Sequence, residues 1–497
     1  MRKVRTVALT AGASAITIAF VTAMATGATA APAGITHDTT ALPKIAIKPG
    51  VHTLSAKSTS SPLTYQQCET EFGIACYSPD QVRSAYNLAP VYKSGVTGKG
   101  STILIVDSYG SPTIASDLHT FDQTFGYADP PSFKIIQSDG PVPAWDPNNA
   151  TQVNWGGETS LDVEYAHTIA PGANIVLDET PVAETEGITG FPQIVQAELN
   201  VINHPRQYGI TGKIDVISQS FGATEETFTS FSQLKSVRSA YVDAARHGIT
   251  VLASTGDTGA TSYEDDGATF YTSPVVNWPA TDPLVTAVGG TQIQENPHGL
   301  NGFSQVVWND TFNKNLLEAF TGSSVSSPFA TTGGVSEFFS LPSYQYGVAG
   351  TIAKATGDRR GPLPRAVPDI SMSGACNGAV DLYLTFPGAT PGWTIVCGTS
   401  EASPEFSGIV ALADQVAGHS LGQINPRIYQ LSAVRAPGIV DVTSGNNTVQ
   451  FTQGTPPVTT TVQGYSAGKG YDLASGVGTV NAQYFVPELA GYGHGRW

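Results

Sequence analysis

Short apolar runs recur along the chain from about residue 100, and polar or turn-forming residues bound each of them. Runs of this length without polar alternation are typical of strands buried on both faces of a parallel sheet. The predicted strands are Ser101–Val106, Asn174–Leu177, Asp215–Gln219, Ile249–Ser254 and Pro283–Val288.

Stretches with helical spacing of apolar residues lie between several of these strands. They are Glu158–Thr168, Ile194–Ile202 and Leu234–Ala245. Alternating strands and helices predict an α/β fold, with a mostly parallel central sheet flanked by helices. Gln292–Thr332 is rich in polar and small residues, and we expect a long insertion or loop there. Gly445–Gln463 shows no helical pattern.

Composition narrows the class of protein. Of the 497 residues, 40% are hydrophobic and only 13% are charged, against about 25% in ordinary domains. This supports a sizeable core and excludes a disordered chain or a coiled coil. With 24 basic and 40 acidic residues, the formal charge is −16. Such a protein is poorly suited to nucleic acid or to an anionic membrane, and its few charges are compatible with work in acid.

The N-terminus predicts export. A basic start at residues 1–5 precedes an apolar stretch, Val7–Met24, and Ala28-Thr29-Ala30 resembles a cleavage site. We therefore expect residues 1–30 to be a signal peptide and the protein to be secreted into the extracellular space. The alternative is an uncleaved anchor, although threonines and a serine interrupt the stretch. Residues 31–76 are predicted to be a linker or short propiece, and residues 77–497 the main domain.

Four cysteines in an exported chain suggest two disulfides. We expect the local pairings, Cys68 with Cys76 and Cys376 with Cys397, while two other connectivities stay open. A catalytic thiol at Cys397 is disfavoured, because no basic residue or histidine is near it in sequence.

The most specific local motif is Gly398-Thr399-Ser400-Glu401-Ala402-Ser403-Pro404, which leads into an apolar helical pattern. Ser400 would lie where a loop enters a helix, and the unpaired N–H groups there stabilise negative charge beside its hydroxyl. This favours a nucleophile. The alternative is a serine that only caps the helix. Pro404 is expected in the first turn, where no N–H is needed.

A serine nucleophile needs a base, and none of the nine histidines lies in the His-Gly-Thr-His pattern of subtilisins. Glu158 and Asp162, four residues apart on a predicted helix, lie on one face among apolar and small neighbours. Two close carboxyls tend to share one proton. Glu158 could then act as general base in acid, with Asp162 orienting it. A solvated acidic face and a histidine-dependent peptidase using His167 remain alternatives.

A third candidate is Asp257, in a Gly-Asp-x-Gly turn after the predicted strand Ile249–Ser254. Loops at the carboxyl ends of parallel strands build active sites in such sheets. If its surroundings keep it protonated, Asp257 could donate a hydrogen bond to an oxyanion. The alternative is an aspartate that serves only the turn.

Together these motifs resemble the sedolisin family, the serine-carboxyl peptidases. The matching signature comprises Glu158/Asp162, Asp257 and Gly398-Thr399-Ser400 with Pro404, and weaker phrases such as Val216–Gly222 (VISQSFG) accompany it. The resemblance covers about Tyr77 to the C-terminus. It implies a subtilisin-like α/β fold and peptide hydrolysis through an acyl-enzyme on Ser400. Glu158 would be the base, Asp162 its partner and Asp257 the oxyanion donor.

The resemblance also implies a C-terminal region that binds one structural calcium ion. The candidate ligands are the carboxylates of Asp441 and Asp472 and the carbonyls of Val442, Gly468 and Gly470. Such a set of hard oxygens suits calcium. The alternative is two aspartates in glycine-rich turns.

Three features depart from the family pattern. Glu401 follows the nucleophile where small residues are more usual, and Asp107, at a predicted strand end, is interpreted as a supporting carboxylate. Residues 31–76 are too few for the long inhibitory prodomain of family precursors.

The resulting expectation is a secreted, acid-acting, monomeric serine-carboxyl peptidase, either an endopeptidase or a tripeptidyl-peptidase, with protein or peptide substrates. The alternative from another class is an inactive secreted binding protein on a peptidase scaffold.

Overall fold

The computed structural model describes residues 52–53, 58–183, 190–357 and 361–492. All of them belong to one compact unit, Pro43–Trp497. The expected signal peptide, residues 1–30, lies outside the described residues, as does most of the predicted linker before residue 58. Within the described ranges, no helix is both long enough and apolar enough to cross a bilayer.

The helices, in chain order, are α1 Tyr65–Phe72, α2 Pro79–Ala85, α3 Ala89–Lys93, α4 Ile114–Phe125, α5 Ala150–Ile169, α6 Phe191–Asn203, α7 Phe231–Ser236, α8 Ser239–His247, α9 Lys314–Thr321, α10 Ala349–Thr356, α11 Thr399–Ala417, α12 Asn425–Ala433 and α13 Ala482–Leu489. The strands are β1 His52–Thr53, β2 Cys76–Tyr77, β3 Thr102–Ser108, β4 Phe133–Ile136, β5 Asn174–Thr180, β6 Val216–Gln219, β7 Ala223–Thr224, β8 Thr250–Ser254, β9 Asn277–Trp278, β10 Thr286–Leu300, β11 Phe303–Val307, β12 Gly334–Ser340, β13 Pro364–Val367, β14 Ile370–Ser373, β15 Ala379–Leu384, β16 Gly392–Cys397, β17 Ile439–Val440, β18 Val449–Gln453, β19 Val458–Val462 and β20 Thr479–Val480.

The central sheet has the strand order β11-β10-β8-β6-β3-β5-β4, and β14 also pairs with β10. Every pair in it is parallel except β10 with β11. The five predicted apolar runs supply β3, β5, β6, β8 and the start of β10. The predicted α/β fold with a mostly parallel sheet is confirmed. The carboxyl ends of β3, β6 and β8 therefore meet along one edge of the sheet.

Two local expectations were wrong. Gln292–Thr332 is not a loop, because β10 continues into a hairpin with β11 and α9 follows. Leu234–Ala245 divides into α7 and α8, and Arg238 at the break is paired with Asp282 rather than continuing the helix. Gly445–Gln463, which has no helical pattern, contains the hairpin of β18 and β19.

Helices α5 and α11 pack against each other in the interior, and this contact positions the candidate site. Their approach is close at Gly408, where an added Cβ would lie 2.5 Å from Cβ of Ile169. Helix α5 begins at Ala150 rather than at the predicted Glu158, because Asn149 caps it by accepting the N–H groups of Thr151 and Gln152. It is buried along its whole length from Trp155.

A second sheet, of order β1-β16-β15-β2, carries the strand that leads to Ser400. Its outer strands come from the segment preceding the main domain, and this segment is held at Leu63, whose N–H donates to Asp381 Oδ1 over 3.0 Å. The expected disulfides, Cys68–Cys76 and Cys376–Cys397, are both confirmed. The second of them joins the end of β16 to the loop after β14.

Candidate active site

Ser400 is the second residue of α11 and is fully buried. Gly398 before it has φ 137°, a backbone conformation that favours glycine. The Ser400 hydroxyl accepts or donates no hydrogen bond to any of the described residues. The side chain therefore stands at a helix N-terminus, as predicted, with its Oγ available for chemistry.

Pro404 lies deeper in the helix than predicted. It is the sixth residue of α11 rather than a member of the first turn. Because proline has no N–H, it cannot donate to the carbonyl four residues earlier, which is that of Ser400. The Ser400 carbonyl instead lies 3.3 Å from Oγ of Ser220.

Ser220 joins the two predicted halves of the site. Its Oγ lies 2.8 Å from Asp162 Oδ1 on α5, besides its contact with the Ser400 carbonyl on α11. Ser220 directly follows β6, at the carboxyl end of a central strand. Ser220 lies within the phrase Val216–Gly222, but no motif in the sequence assigns it a role. Its place after a parallel strand was the available signal.

The carboxyl pair on α5 is buried, with Glu158 and Asp162 both fully inaccessible. Burial raises the pKa of Asp162 well above its usual value, and the charges of Asp107 and Glu158 raise it further. The Ser220 hydroxyl opposes this shift in the Asp162 pKa. The alternative of a solvated acidic face is therefore wrong, because water does not reach either carboxyl.

Asp107 lies near the end of β3 and acts on the pair, as expected of a supporting carboxylate. Burial raises the pKa of Asp107 to about 7, while the hydroxyl of Thr159 beside it lowers that pKa. Three acidic groups thus lie in one dry region, so only a fraction of them can be ionised together.

Asp257, in the turn after β8, is tied to the start of α11. Its Oδ1 accepts the backbone N–H and the hydroxyl of Thr399, each over 2.7 Å. The Thr399 hydroxyl also lies 3.0 Å from the N–H of Gly256. Asp257 is therefore anchored to the residue that precedes Ser400, and the structure brings together two motifs that are far apart in the chain.

The structure separates His167 from this arrangement. Its Nε2 lies 3.0 Å from the Ala128 carbonyl and 3.3 Å from Asp122 Oδ2, in the last turn of α5 and about two and a half turns beyond Glu158. No histidine among the described residues contacts the Ser400 hydroxyl by a hydrogen bond. The contacts of His167 Nε2 with Ala128 and Asp122 count against the histidine-dependent alternative.

The candidate calcium ligands surround one glycine-rich loop. Asp472 Oδ2 accepts the N–H of Gly468, and Asp441 Oδ2 accepts that of Gly470, both over 2.9 Å. The carbonyl of Val442 is near the same loop, 3.5 Å from the hydroxyl of Ser475. Across the described ranges no three His, Cys, Asp or Glu side chains gather in a group that could hold a metal. Main-chain carbonyls would have to complete such a site, which is a donor set that suits calcium.

Comparison with known proteins defines the class. Residues 148–454 match the model of the subtilase family, Peptidase_S8. This match covers more than half of the chain and includes α5, the Asp257 turn and the start of α11. The chain therefore belongs to the subtilase family, and its relatives confirm the predicted membership of the sedolisin group.

Kumamolisin of Bacillus sp. (strain MN-32) is 31% identical over 408 residues, which cover 81% of this chain and 62% of that protein. Sedolisin of Pseudomonas sp. (strain 101) is 29% identical over 281 residues, covering 56% and 42%. Tripeptidyl-peptidase 1 of Homo sapiens is 28% identical over 341 residues, covering 66% and 50%. The chain thus spans between 42% and 62% of the lengths of these curated relatives.

A solved structure confirms the fold. Pseudomonas sedolisin, described as a serine-carboxyl proteinase complexed with two molecules of pseudo-iodotyrostatin, has a TM-score of 0.62 at 25% identity. The match covers 84% of this chain and 98% of that one.

Proposed function

We propose that this chain is a secreted serine-carboxyl peptidase that hydrolyses protein or peptide substrates in acid. The observation that carries the proposal is the contact made by Ser220, whose Oγ lies 2.8 Å from Asp162 Oδ1 and 3.3 Å from the Ser400 carbonyl. These two contacts connect the carboxyl pair of α5 to the first turn of α11, which contains the proposed nucleophile Ser400. The named relatives, among them a serine-carboxyl proteinase and a tripeptidyl-peptidase, support the same class.

In the proposed acylation step, Glu158 takes the proton from Ser400 Oγ as that oxygen attacks the carbonyl carbon of the scissile peptide. Asp162 stabilises the pair by sharing its charge and proton. The negative charge that develops on the peptide oxygen is stabilised by the N–H of Ser400 and by Asp257, the proposed second hydrogen-bond donor. The contacts of Asp257 Oδ1 with the N–H and hydroxyl of Thr399 hold this carboxyl beside Ser400.

The tetrahedral intermediate then collapses. Glu158 returns its proton to the departing amine, the C–N bond breaks, and an ester remains on Ser400. Water hydrolyses the ester by the same steps in reverse, with Glu158 again removing and returning a proton. A carboxyl base remains ionisable in acid, where an imidazole is already protonated. This is the reason for assigning the enzyme to acidic conditions.

Calcium has a structural part in this proposal. Asp441 and Asp472 would hold the ion with the carbonyls of Val442, Gly468 and Gly470, and the ion would supply charge that fixes the glycine-rich loop. No step of the reaction passes through it.

Peptide cleavage and covalent labelling together test the function. The purified protein should cleave a mixed peptide library near pH 4, and a peptide aldehyde or phosphonate inhibitor should block it by reacting at Ser400. Ser400→Ala should retain its fold and lose both cleavage and labelling. Cleavage that survives in Ser400→Ala contradicts the proposal. An intact protein that neither cleaves nor labels at any pH indicates the binding scaffold instead. Sequencing the products distinguishes internal cleavage from release of tripeptides.

A further inference from the structure

A second pair of buried carboxyls begins one residue after the proposed nucleophile. Glu401 and Glu405 are four residues apart on α11, so they lie on one face of the helix. Both side chains are fully inaccessible to water. This pair is distinct from Glu158 and Asp162, which are on α5.

The surroundings of this pair do not favour two negative charges. None of its four carboxyl oxygens receives a hydrogen bond at good geometry from the described residues. The groups that act on it most strongly are Ser373, Asp257 and the two glutamates themselves. Ser373 lowers both pKa values, but burial outweighs it, because an ionised carboxylate is costly in a dry interior and two adjacent ones are costlier still.

Two buried tyrosines are close enough to the pair to interact with it electrostatically. Tyr86 follows α2, and its hydroxyl accepts the N–H of Ser373 over 2.5 Å. Tyr165 lies on α5. Burial raises the pKa of each tyrosine, and the negative charges of both glutamates raise it further. These phenols therefore stay protonated and neutral.

The pair is also coupled to the backbone on the other side of Ser400. Ser373 ends β14, and the next residue, Gly374, accepts the N–H of Gly398 through its carbonyl over 2.9 Å. The same short loop therefore contacts the residue two positions before Ser400 and the carboxyl pair just after it. A displacement of either contact would move the first turn of α11.

We propose that Glu401 and Glu405 are positioning residues that share a proton beside Ser400 and thereby set the upper pH limit of the reaction. While the shared proton is present, the pair bears at most one charge and the loop at Ser373 holds the first turn of α11. When the last shared proton leaves, the two carboxylates repel each other, and Ser400 moves away from its base. Burial raises the pKa of Glu401 to about 8 and that of Glu405 well above its usual value. The pair therefore loses its last shared proton at a pH above the acidic range.

The inference rests on the proposed function, because it assumes that Ser400 is the nucleophile. The informative change is Glu405→Gln, which keeps the shape of the side chain, cannot ionise and can donate permanently to Glu401. Glu401→Gln is the companion variant if the first does not fold. Glu198→Gln is the matched control, since burial also raises the pKa of Glu198 to about 8 but its carboxyl lies on α6, bonded to Gln219.

The experiment measures kcat and KM from pH 3 to pH 9, together with the thermal unfolding midpoint at each pH. In Glu405→Gln the high-pH decline of kcat should move upward by about half a pH unit or more, a roughly threefold gain on that limb, with KM unchanged. Both Glu405→Gln and Glu198→Gln should lose less thermal stability between pH 5 and pH 8 than the unmodified protein. Only Glu405→Gln should move the activity profile.

Three results would overturn the proposal. The first is a kcat profile of Glu405→Gln that superimposes on that of the unmodified protein. The second is an equal shift in Glu198→Gln, which would assign the effect to general stability. The third is an unchanged pH dependence of unfolding in Glu405→Gln, which would exclude a shared proton without any reference to activity. Failure of the proposed function is detected by a different measurement, namely cleavage that persists in Ser400→Ala.

Discussion

Ser220 Oγ lies 2.8 Å from Asp162 Oδ1, and this contact joins the segment after β6 to α5. The same hydroxyl lies 3.3 Å from the carbonyl of Ser400, which receives no N–H from Pro404. Because Pro404 has no N–H, the Ser400 carbonyl lacks its usual helical donor and is left to the Ser220 hydroxyl. This gives Pro404, inside the buried helix α11, a role at the start of that helix.

Replacing Ser220 by alanine should therefore impair the reaction more than the fold. Asp162 would lose the hydroxyl that lowers its pKa, and its position relative to Ser400 would loosen. Loss of a hydrogen bond to a charged group costs about 1.5–3 kcal/mol, so we expect kcat to fall by about tenfold or more, with little change in KM. Steady-state kinetics on one peptide substrate measure both.

Ser218→Ala is the matched control for that variant. In the unmodified protein the hydroxyl of Ser218 also contacts α11, at Ser403 Oγ over 3.1 Å, but it does not bond to Glu158 or Asp162. The kcat of this variant should remain near that of the unmodified enzyme. Equal losses in the two variants would assign the effect to packing between β6 and α11 and would contradict the role given to Ser220.

The protein should be most stable in acid. Burial raises the pKa of Asp107 to about 7 and the pKa values of Glu198 and Asp414 to about 8. In the unfolded chain such carboxyls ionise near pH 4. Between these limits the native state binds more protons, so the free energy of unfolding falls as pH rises.

We expect the thermal midpoint to decrease by roughly 5–10 °C between pH 4 and pH 8. Differential scanning calorimetry at constant ionic strength measures this. A midpoint that rises over that interval would show that the buried carboxyls are ionised in the native protein.

The segment before the main domain should contribute to stability. The Leu63 N–H bonds the buried carboxyl of Asp381, and Thr59 exchanges two backbone hydrogen bonds with Trp393, of 2.8 and 2.9 Å. A chain that begins at Thr64 should therefore be less stable than one that begins at Ser58, by roughly 2–4 kcal/mol. Chemical denaturation of the two proteins compares them, and equal midpoints would show that the segment is dispensable.

The proposed calcium site predicts a stability effect without a direct catalytic one. Chelation by EGTA should lower the thermal midpoint, added calcium should restore it, and Asp472→Asn should abolish the difference. Metal analysis of the purified protein should find one calcium per chain. A protein free of calcium whose midpoint does not respond to the ion would favour the alternative of two aspartates in turns.

The sequence predicted the central sheet and the positions of Glu158, Asp257 and Ser400 because these features have local signals. Apolar runs define buried strands, and turn residues mark their ends. The place of Ser220 after β6 was a local signal of the same kind, but its role depends on contacts with both α5 and α11 that no local pattern records. Glu405 could not be assigned from the sequence either, because its pattern is that of an ordinary helical glutamate and only the structure shows that it is buried.

The central claim is that a carboxyl, rather than an imidazole, removes the proton from Ser400. Its most direct test is kcat/KM of Glu158→Gln at pH 4, with Ser400→Ala defining the background and unfolding curves confirming that both variants are folded. The account predicts that Glu158→Gln falls to within about tenfold of that background. Near-full activity of a folded Glu158→Gln enzyme would contradict it.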